Sequence, residues 1–138
     1  MPTTNREGTR WAVGVAGLVA VLAVAGCGRE ERLYDVSGTV TFGGKPVPKG
    51  QVFFDPDPTK GTTGGQGFAT IQDGKYTTAQ NGRGIRGGAY AIRVLGYDGK
   101  EANEAPFGQP LFPEYELKKD LPASDSELPL DIPVQRQR

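Results

Sequence analysis

The chain contains no histidine and one cysteine, Cys27, and its basic and acidic residues balance at sixteen each. Without histidine, Ser-His-Asp and Cys-His nucleophilic catalysis is excluded, as is any zinc site that uses an imidazole. A lone cysteine can make neither an internal disulfide nor a thiolate metal site. With no basic excess to displace phosphate counterions, nucleic acid is not an expected partner. Helical periodicity is missing too: beyond Cys27 no segment repeats apolar residues at i, i+4 and i+7 over three turns. Glycine and proline, by contrast, number 21 and 11, above ordinary usage and suited to many tight turns.

What is present begins with a leader. Residues 1–10 are polar and carry Arg6 and Arg10 against the single acid Glu7, and residues 11–26 then run sixteen positions without a charge. A basic segment followed by a short apolar one reads as a secretory signal. The apolar run falls short of the ~20 residues that a spanning helix needs. It ends Val24-Ala25-Gly26-Cys27, which resembles the lipobox of bacterial lipoproteins. There, small residues admit the backbone to a peptidase cleft and the cysteine thiol takes a diacylglyceryl group. The resemblance implies a signal-peptide helix, cleavage before Cys27, and acylation of its sulfur and new amino group. A signal cut elsewhere, or an uncleaved anchor, is the plainer alternative, but it leaves an unpaired thiol in an exported chain unexplained. Several acyl chains at about 0.8 kcal/mol per buried methylene make a durable anchor. Gly28 stands where an Asp would retain a lipoprotein in the inner membrane, so the outer membrane is favoured over the cell membrane. Cleavage removes 26 of the 138 residues and leaves 112, enough for one modest core.

The remaining chain divides into a charged tether over residues 27–33, a β domain over 34–134 and a frayed tail over 135–138. Tyr34, Val36, Gly38, Val40 and Phe42 alternate with polar residues and predict a half-buried strand. Gly43-Gly44-Lys45-Pro46 is a turn, with Val47 plugging the core beside it, and Pro48-Lys49-Gly50 is a second reversal. Residues 51–55 form a strand with Val52 and Phe54 on one face, and residues 56–66 an exposed, mobile loop. Residues 67–72 and 75–78 flank Asp73-Gly74, the strongest hairpin signal in the chain. Residues 79–88 form a glycine-rich connection with Ile85 buried. Residues 89–97 form the clearest strand, with Tyr90, Ile92 and Val94 on one face. Residues 110–115 look like an irregular edge, residues 115–121 like loop or weak strand, and residues 127–132 like an edge strand around Pro129. About seven short strands predict an all-β, antiparallel Greek-key sandwich.

Val36-x-Gly38-x-Val40-x-Phe42-x-Gly44-Lys45-Pro46-Val47, then Asp73-Gly74-Lys75-Tyr76, then Gly88-x-Tyr90-x-Ile92-x-Val94 follow in an order that resembles the carboxypeptidase regulatory-like, or transthyretin-like, β-sandwich domain. Phe112-Pro113-Glu114-Tyr115 is similar to a segment that often ends its small lipoprotein versions. The resemblance implies the prealbumin-like sandwich fold and a domain that packs beside, tethers or presents something else. A transthyretin-related branch hydrolyses 5-hydroxyisourate with histidines and a C-terminal Tyr-Arg-Gly-Ser; this chain has no histidine and ends Gln-Arg-Gln-Arg, so that activity is not implied. Tyr90 is either a tyrosine corner, its hydroxyl bonded to the preceding loop, or a plain core aromatic.

Acid–base chemistry is left to carboxylate pairs. Asp55 and Asp57 flank Pro56, and Glu114 and Glu116 flank Tyr115; neither pair has the setting of a sugar cleft or the spacing of a calcium loop. The Gly82–Gly88 stretch lacks a Gly-Lys-Ser/Thr ending and precedes a strand, so it is a flexible connection and not a phosphate loop. Arg83 and Arg86 remain available to anionic lipid or polysaccharide. The expectation is therefore a non-enzymatic lipoprotein with no cofactor or metal, exported and bound to the membrane through Cys27. Its domain makes structural or protein contacts in the envelope. The alternative is a carbohydrate- or small-ligand-binding module, with Tyr97, Phe107, Phe112 and Tyr115 as contact aromatics and a polysaccharide as partner.

Overall fold

The computed structural model describes residues 30–136. Nine strands follow one another: β1 (Val36–Phe42), β2 (Lys45–Pro46), β3 (Lys49–Pro56), β4 (Gly67–Gln72), β5 (Lys75–Thr77), β6 (Gly88–Tyr97), β7 (Tyr115–Leu121), β8 (Ser126–Glu127) and β9 (Leu130–Ile132). The described residues contain no α-helix, only a single 3₁₀ turn at Pro58–Lys60. No helix among them is long and apolar enough to cross a membrane. The signal-peptide helix expected for residues 1–26 lies outside the described residues.

The main sheet runs β1-β5-β4-β3-β6-β7, every pair antiparallel, and curls into a half-barrel. Its two faces follow from the two-residue period of a strand. Val52 and Phe54 on β3, Ala69 and Ile71 on β4, Tyr76 on β5, and Tyr90, Ile92 and Val94 on β6 all point inward and are buried. Val36, Val40, Val47, Ile85, Leu121, Leu128, Leu130 and Ile132 complete the core. The alternation read from residues 36–42, 51–55 and 89–97 is thus the alternation of the folded sheet. Both hairpin turns need positive φ at two positions, which Gly43 and Gly44 (57° and 78°) and Asp73 and Gly74 (51° and 73°) supply.

Four expectations change. Residues 115–121 form a full edge strand, β7, paired to β6 from Tyr115 to Leu121. Its pattern is masked because Lys119 takes an inward-register position between Leu117 and Leu121, and because the other face is charged. Edge strands tolerate such charges, which deter pairing with a second chain. Residues 127–132 are not one antiparallel strand. They form β8 and β9, split at Leu128-Pro129, and both run parallel to β1. Residues 49–50 begin β3 and do not extend the reversal at Pro48. Residues 56–66 are held in place: the Asp57 carboxylate caps the 3₁₀ turn by accepting from the Thr59 N–H at 3.0 Å, Gly61 closes it at φ 76°, and the buried Thr62 accepts from the Ala89 N–H at 2.9 Å.

β1 is the strand on which the sheet turns. β5 and then β2 pair along one of its edges, β8 and then β9 along the other. The Leu128 N–H donates to the Ser37 carbonyl at 2.8 Å, and the buried Tyr76 hydroxyl donates to the Leu128 carbonyl at 2.6 Å. Leu128 approaches so closely that a Cβ on Gly38 would overlap its carbonyl group. Burial, with the Glu127 charge adding to it, pushes the Tyr76 phenol well above its ordinary range, so the hydroxyl stays a donor. Gly38→Ala should destabilise the domain by about 1–3 kcal/mol through overpacking. Tyr76→Phe should cost about 1–3 kcal/mol by stranding a buried carbonyl. Urea unfolding followed by circular dichroism measures both, and a loss confined to a few tenths would contradict the crossing.

Candidate functional site

The strand ends gather the loops at two poles. At one pole lie residues 30–35, which lead into β1, with the β3–β4, β5–β6 and β7–β8 connections. At the other lie the β1–β2, β2–β3 and β4–β5 turns and the long β6–β7 connection, residues 98–114. These segments touch within each pole: the Gly84 backbone abuts Tyr34 and the Gly87 backbone Ala123, while Gly74 meets Pro46 and Gly99 meets Pro48.

The first pole is built around Glu31. Its carboxylate pairs with Arg83 Nη2 at 2.7 Å and with Arg86 Nε at 2.8 Å. Arg83 also donates to the Gln66 carbonyl at 3.1 Å. Tyr34 and Ile85 exchange two backbone hydrogen bonds, 2.7 and 2.9 Å, and Thr78 Oγ1 accepts from the Val36 N–H at 2.9 Å. The two arginines singled out as free for anionic ligands are therefore already engaged, and the described part of the tether is fastened to the domain. Each ion pair, about one-third exposed, is worth on the order of 1 kcal/mol or less; the backbone pair beside them adds a comparable amount. Tyr90 settles both of its readings at once: it is 2% exposed and its hydroxyl accepts from the Arg86 N–H at 3.1 Å.

The four candidate aromatics divide. Phe112 packs against the core, its ring 5.0 Å from that of Phe42 and over Gly96, where any side chain would collide with it. Tyr115 begins β7 beside Val94 and also packs on the core. With Leu111, Ile132 and Val134 these rings line a slot of about 170 Å³ between the two ends of the half-barrel. Phe112 and Tyr115 are thus half-buried, each with one side packed on the core and the remainder lining this slot.

Tyr97 and Phe107 form a pair of their own at the second pole, with ring centroids 5.8 Å apart and Phe107 43% exposed. Asp98 holds their loop in shape. Its Oδ1 accepts from the Lys100 and Gln109 N–H groups at 2.9 and 3.0 Å, and Gly99 donates to the Phe107 carbonyl at 3.0 Å. The Lys100 amide, with that of Gln109, holds the Asp98 carboxyl below its usual range. Gly108 leaves the room that this carboxylate occupies.

The outer face of the sheet carries a cluster that the sequence reading passed over. Phe68, Phe53 and Arg93 are register partners on β4, β3 and β6. The Arg93 guanidinium lies over the Phe53 ring at 5.1 Å, pairs with Asp55 at 2.6 Å and reaches Glu114 at 3.3 Å. Gln66 Nε2 donates to the other Asp55 oxygen at 2.5 Å. Two adjacent phenylalanines on one strand must face opposite ways, so Phe53-Phe54 already placed one ring outside. Asp57 is engaged separately with Thr59, and Asp55 with Arg93 and Gln66, so the paired acids do not share a site. Among the described residues no three His, Cys, Asp or Glu side chains gather as a metal site would require. A broad open depression over β1, β5 and β4 is lined by Thr39, Thr70, Asp73, Lys75, Thr77 and Glu127, among others, a polar, hydrogen-bonding surface. Cys27 and the lipobox residues Val24, Ala25 and Gly26 lie outside the described residues.

Partial burial raises the Asp55 carboxyl, but hydrogen bonds from Arg93 and Gln66 and the charge of Arg93 outweigh it and hold it below its usual range. A depressed carboxyl contributes stability above its unfolded pKa of about 4, and that stability is lost as pH falls through the lower folded value. The urea midpoint should therefore fall as pH drops below about 4, and Asp55→Asn should flatten that dependence; an unchanged slope would refute the assignment. No family model matches the chain, and searches of curated proteins and of solved structures gave no match either.

Proposed function

We propose that the chain is a lipoprotein of the bacterial envelope, exported and anchored through Cys27, whose β domain works without catalysis by making structural or protein contacts. The observation that carries this reading is Val24-Ala25-Gly26 directly before the only cysteine, behind a basic start and an uncharged apolar run. The absence of histidine from the chain supports a non-enzymatic role. Gly28 favours the outer membrane over the cell membrane. The finer fold belongs to the same proposal: we read the half-barrel as a transthyretin-like Greek-key sandwich. Its support is β1, whose first half pairs with β5 and β8 and whose second half pairs with β2 and β9.

Cys27→Ser should abolish incorporation of a radiolabelled fatty acid and release the domain from sedimenting membranes. Persistent labelling of that variant would overturn the anchor.

One observation favours the second reading, a polysaccharide-binding module. The Tyr97–Phe107 pair stands on a loop whose shape is fixed by Asp98, and a partly exposed aromatic platform suits stacking on a sugar ring. Saturable binding to isolated peptidoglycan, lost in Phe107→Ala while the unfolding free energy stays within about 0.5 kcal/mol of the parent, supports this reading. Absence of binding by the parent protein removes it.

A further inference from the structure

We infer that in the lipid-anchored protein the pole carrying Glu31, Arg86 and the 57–66 loop rests against the bilayer surface, while the pole carrying Tyr97 and Phe107 points away from it. This rests on the lipoprotein reading and adds to it an orientation and a contact surface.

The first argument is reach. Four residues of chain lead from Cys27 to Glu31, and at ~3.6 Å per residue they span at most about 14 Å. A domain of about 100 residues has a radius of gyration near 13 Å, so it is more than about 25 Å across. A tether shorter than the body it holds cannot let the far pole reach the membrane while the near one swings clear.

The second argument is the clamp. Two ion pairs from one carboxylate, with the two Tyr34–Ile85 hydrogen bonds, fix the direction in which the chain arrives. Gly64 and Gly65 press their backbones against Arg86 and Arg83, so the 57–66 loop shares that position. Thr63 and Lys60 are exposed on it. The charges nearby are mixed: Arg32, Lys60, Arg86, Lys118 and Lys119 stand near Glu30, Asp57 and Asp120. Apposition to headgroups follows from the covalent tether and the clamp whatever the charge of the lipid. The second pole, with the Gly43-Gly44 and Asp73-Gly74 turns, is left facing outward.

The chain offers a clean probe, because its one tryptophan, Trp11, lies in the leader. Tryptophan is introduced at Thr63 or at Lys45, both exposed and at opposite poles. The full lipidated protein is reconstituted in phosphatidylcholine vesicles that carry a nitroxide on the lipid headgroup. Thr63→Trp should lose most of its emission and Lys45→Trp should keep it. Adding Glu31→Gln, which removes the carboxylate but keeps its shape, should shrink the contrast between the positions. Equal quenching at both positions, or stronger quenching at Lys45, overturns the orientation. A contrast unaffected by Glu31→Gln overturns the role of the Glu31 ion pairs in setting the orientation. Sedimentation of the vesicles separates these outcomes from failure of the underlying reading: protein that stays in the supernatant overturns the anchor, and the orientation with it.

Discussion

The fold depends on one crossing, the passage of Leu128-Pro129 over Gly38 of β1. Without a bare backbone at Gly38 the C-terminal segment could not approach, and without the Tyr76 hydroxyl the Leu128 carbonyl would be buried unmet. This contact lets one strand serve two neighbours on each edge. It brings Leu128, Leu130 and Ile132 down over a core that the antiparallel sheet alone leaves open. On the side where the half-barrel does not close, Phe112 and Tyr115 complete the cover with side chains in place of strands. Their partial burial is thus part of the architecture.

Much of the sheet was legible because alternation is a strong signal wherever one face is buried. Val36 and Val40, Val52 and Phe54, and Ile92 and Val94 announced their faces, and Asp73-Gly74 announced its turn. What stayed hidden was information carried by partners distant in sequence. The pairing direction of β8 and β9 is fixed by β1, some 90 positions away, as the Asp35–Asp125 hydrogen bond across that separation shows. β7 was obscured by Lys119, a charge that an edge accommodates and a central strand would not. The 56–66 loop lacked apolar residues to mark it as ordered, because its order comes from Asp57, Gly61 and Thr62 satisfying backbone groups.

The candidate site was legible only in part. Residue type alone put four aromatics together, and geometry separated them into a pair packed on the core and a pair, Tyr97 and Phe107, of which Phe107 is exposed. Arg83 and Arg86 looked like free cations in a glycine-rich stretch; no local pattern could have revealed that Glu31, in the supposed tether, holds both. The outer-face group of Phe53, Phe68, Arg93, Asp55 and Glu114 needed only the rule that adjacent strand residues face opposite ways. Together these features describe a body with two distinct ends, each made by side chains from several separate connections.

The long-range closure of β1 bears on how such a chain reaches its final place. A strand near the N-terminus that finds its last partners at the C-terminus has a high contact order, and such domains fold slowly. The barrier includes ordering nearly the whole polypeptide before Leu128 can meet Gly38. A chain that emerges N-terminus first during synthesis holds β1 with one edge bare until the final residues appear. Late completion leaves an interval in which that bare edge is open to mispairing or to a chaperone.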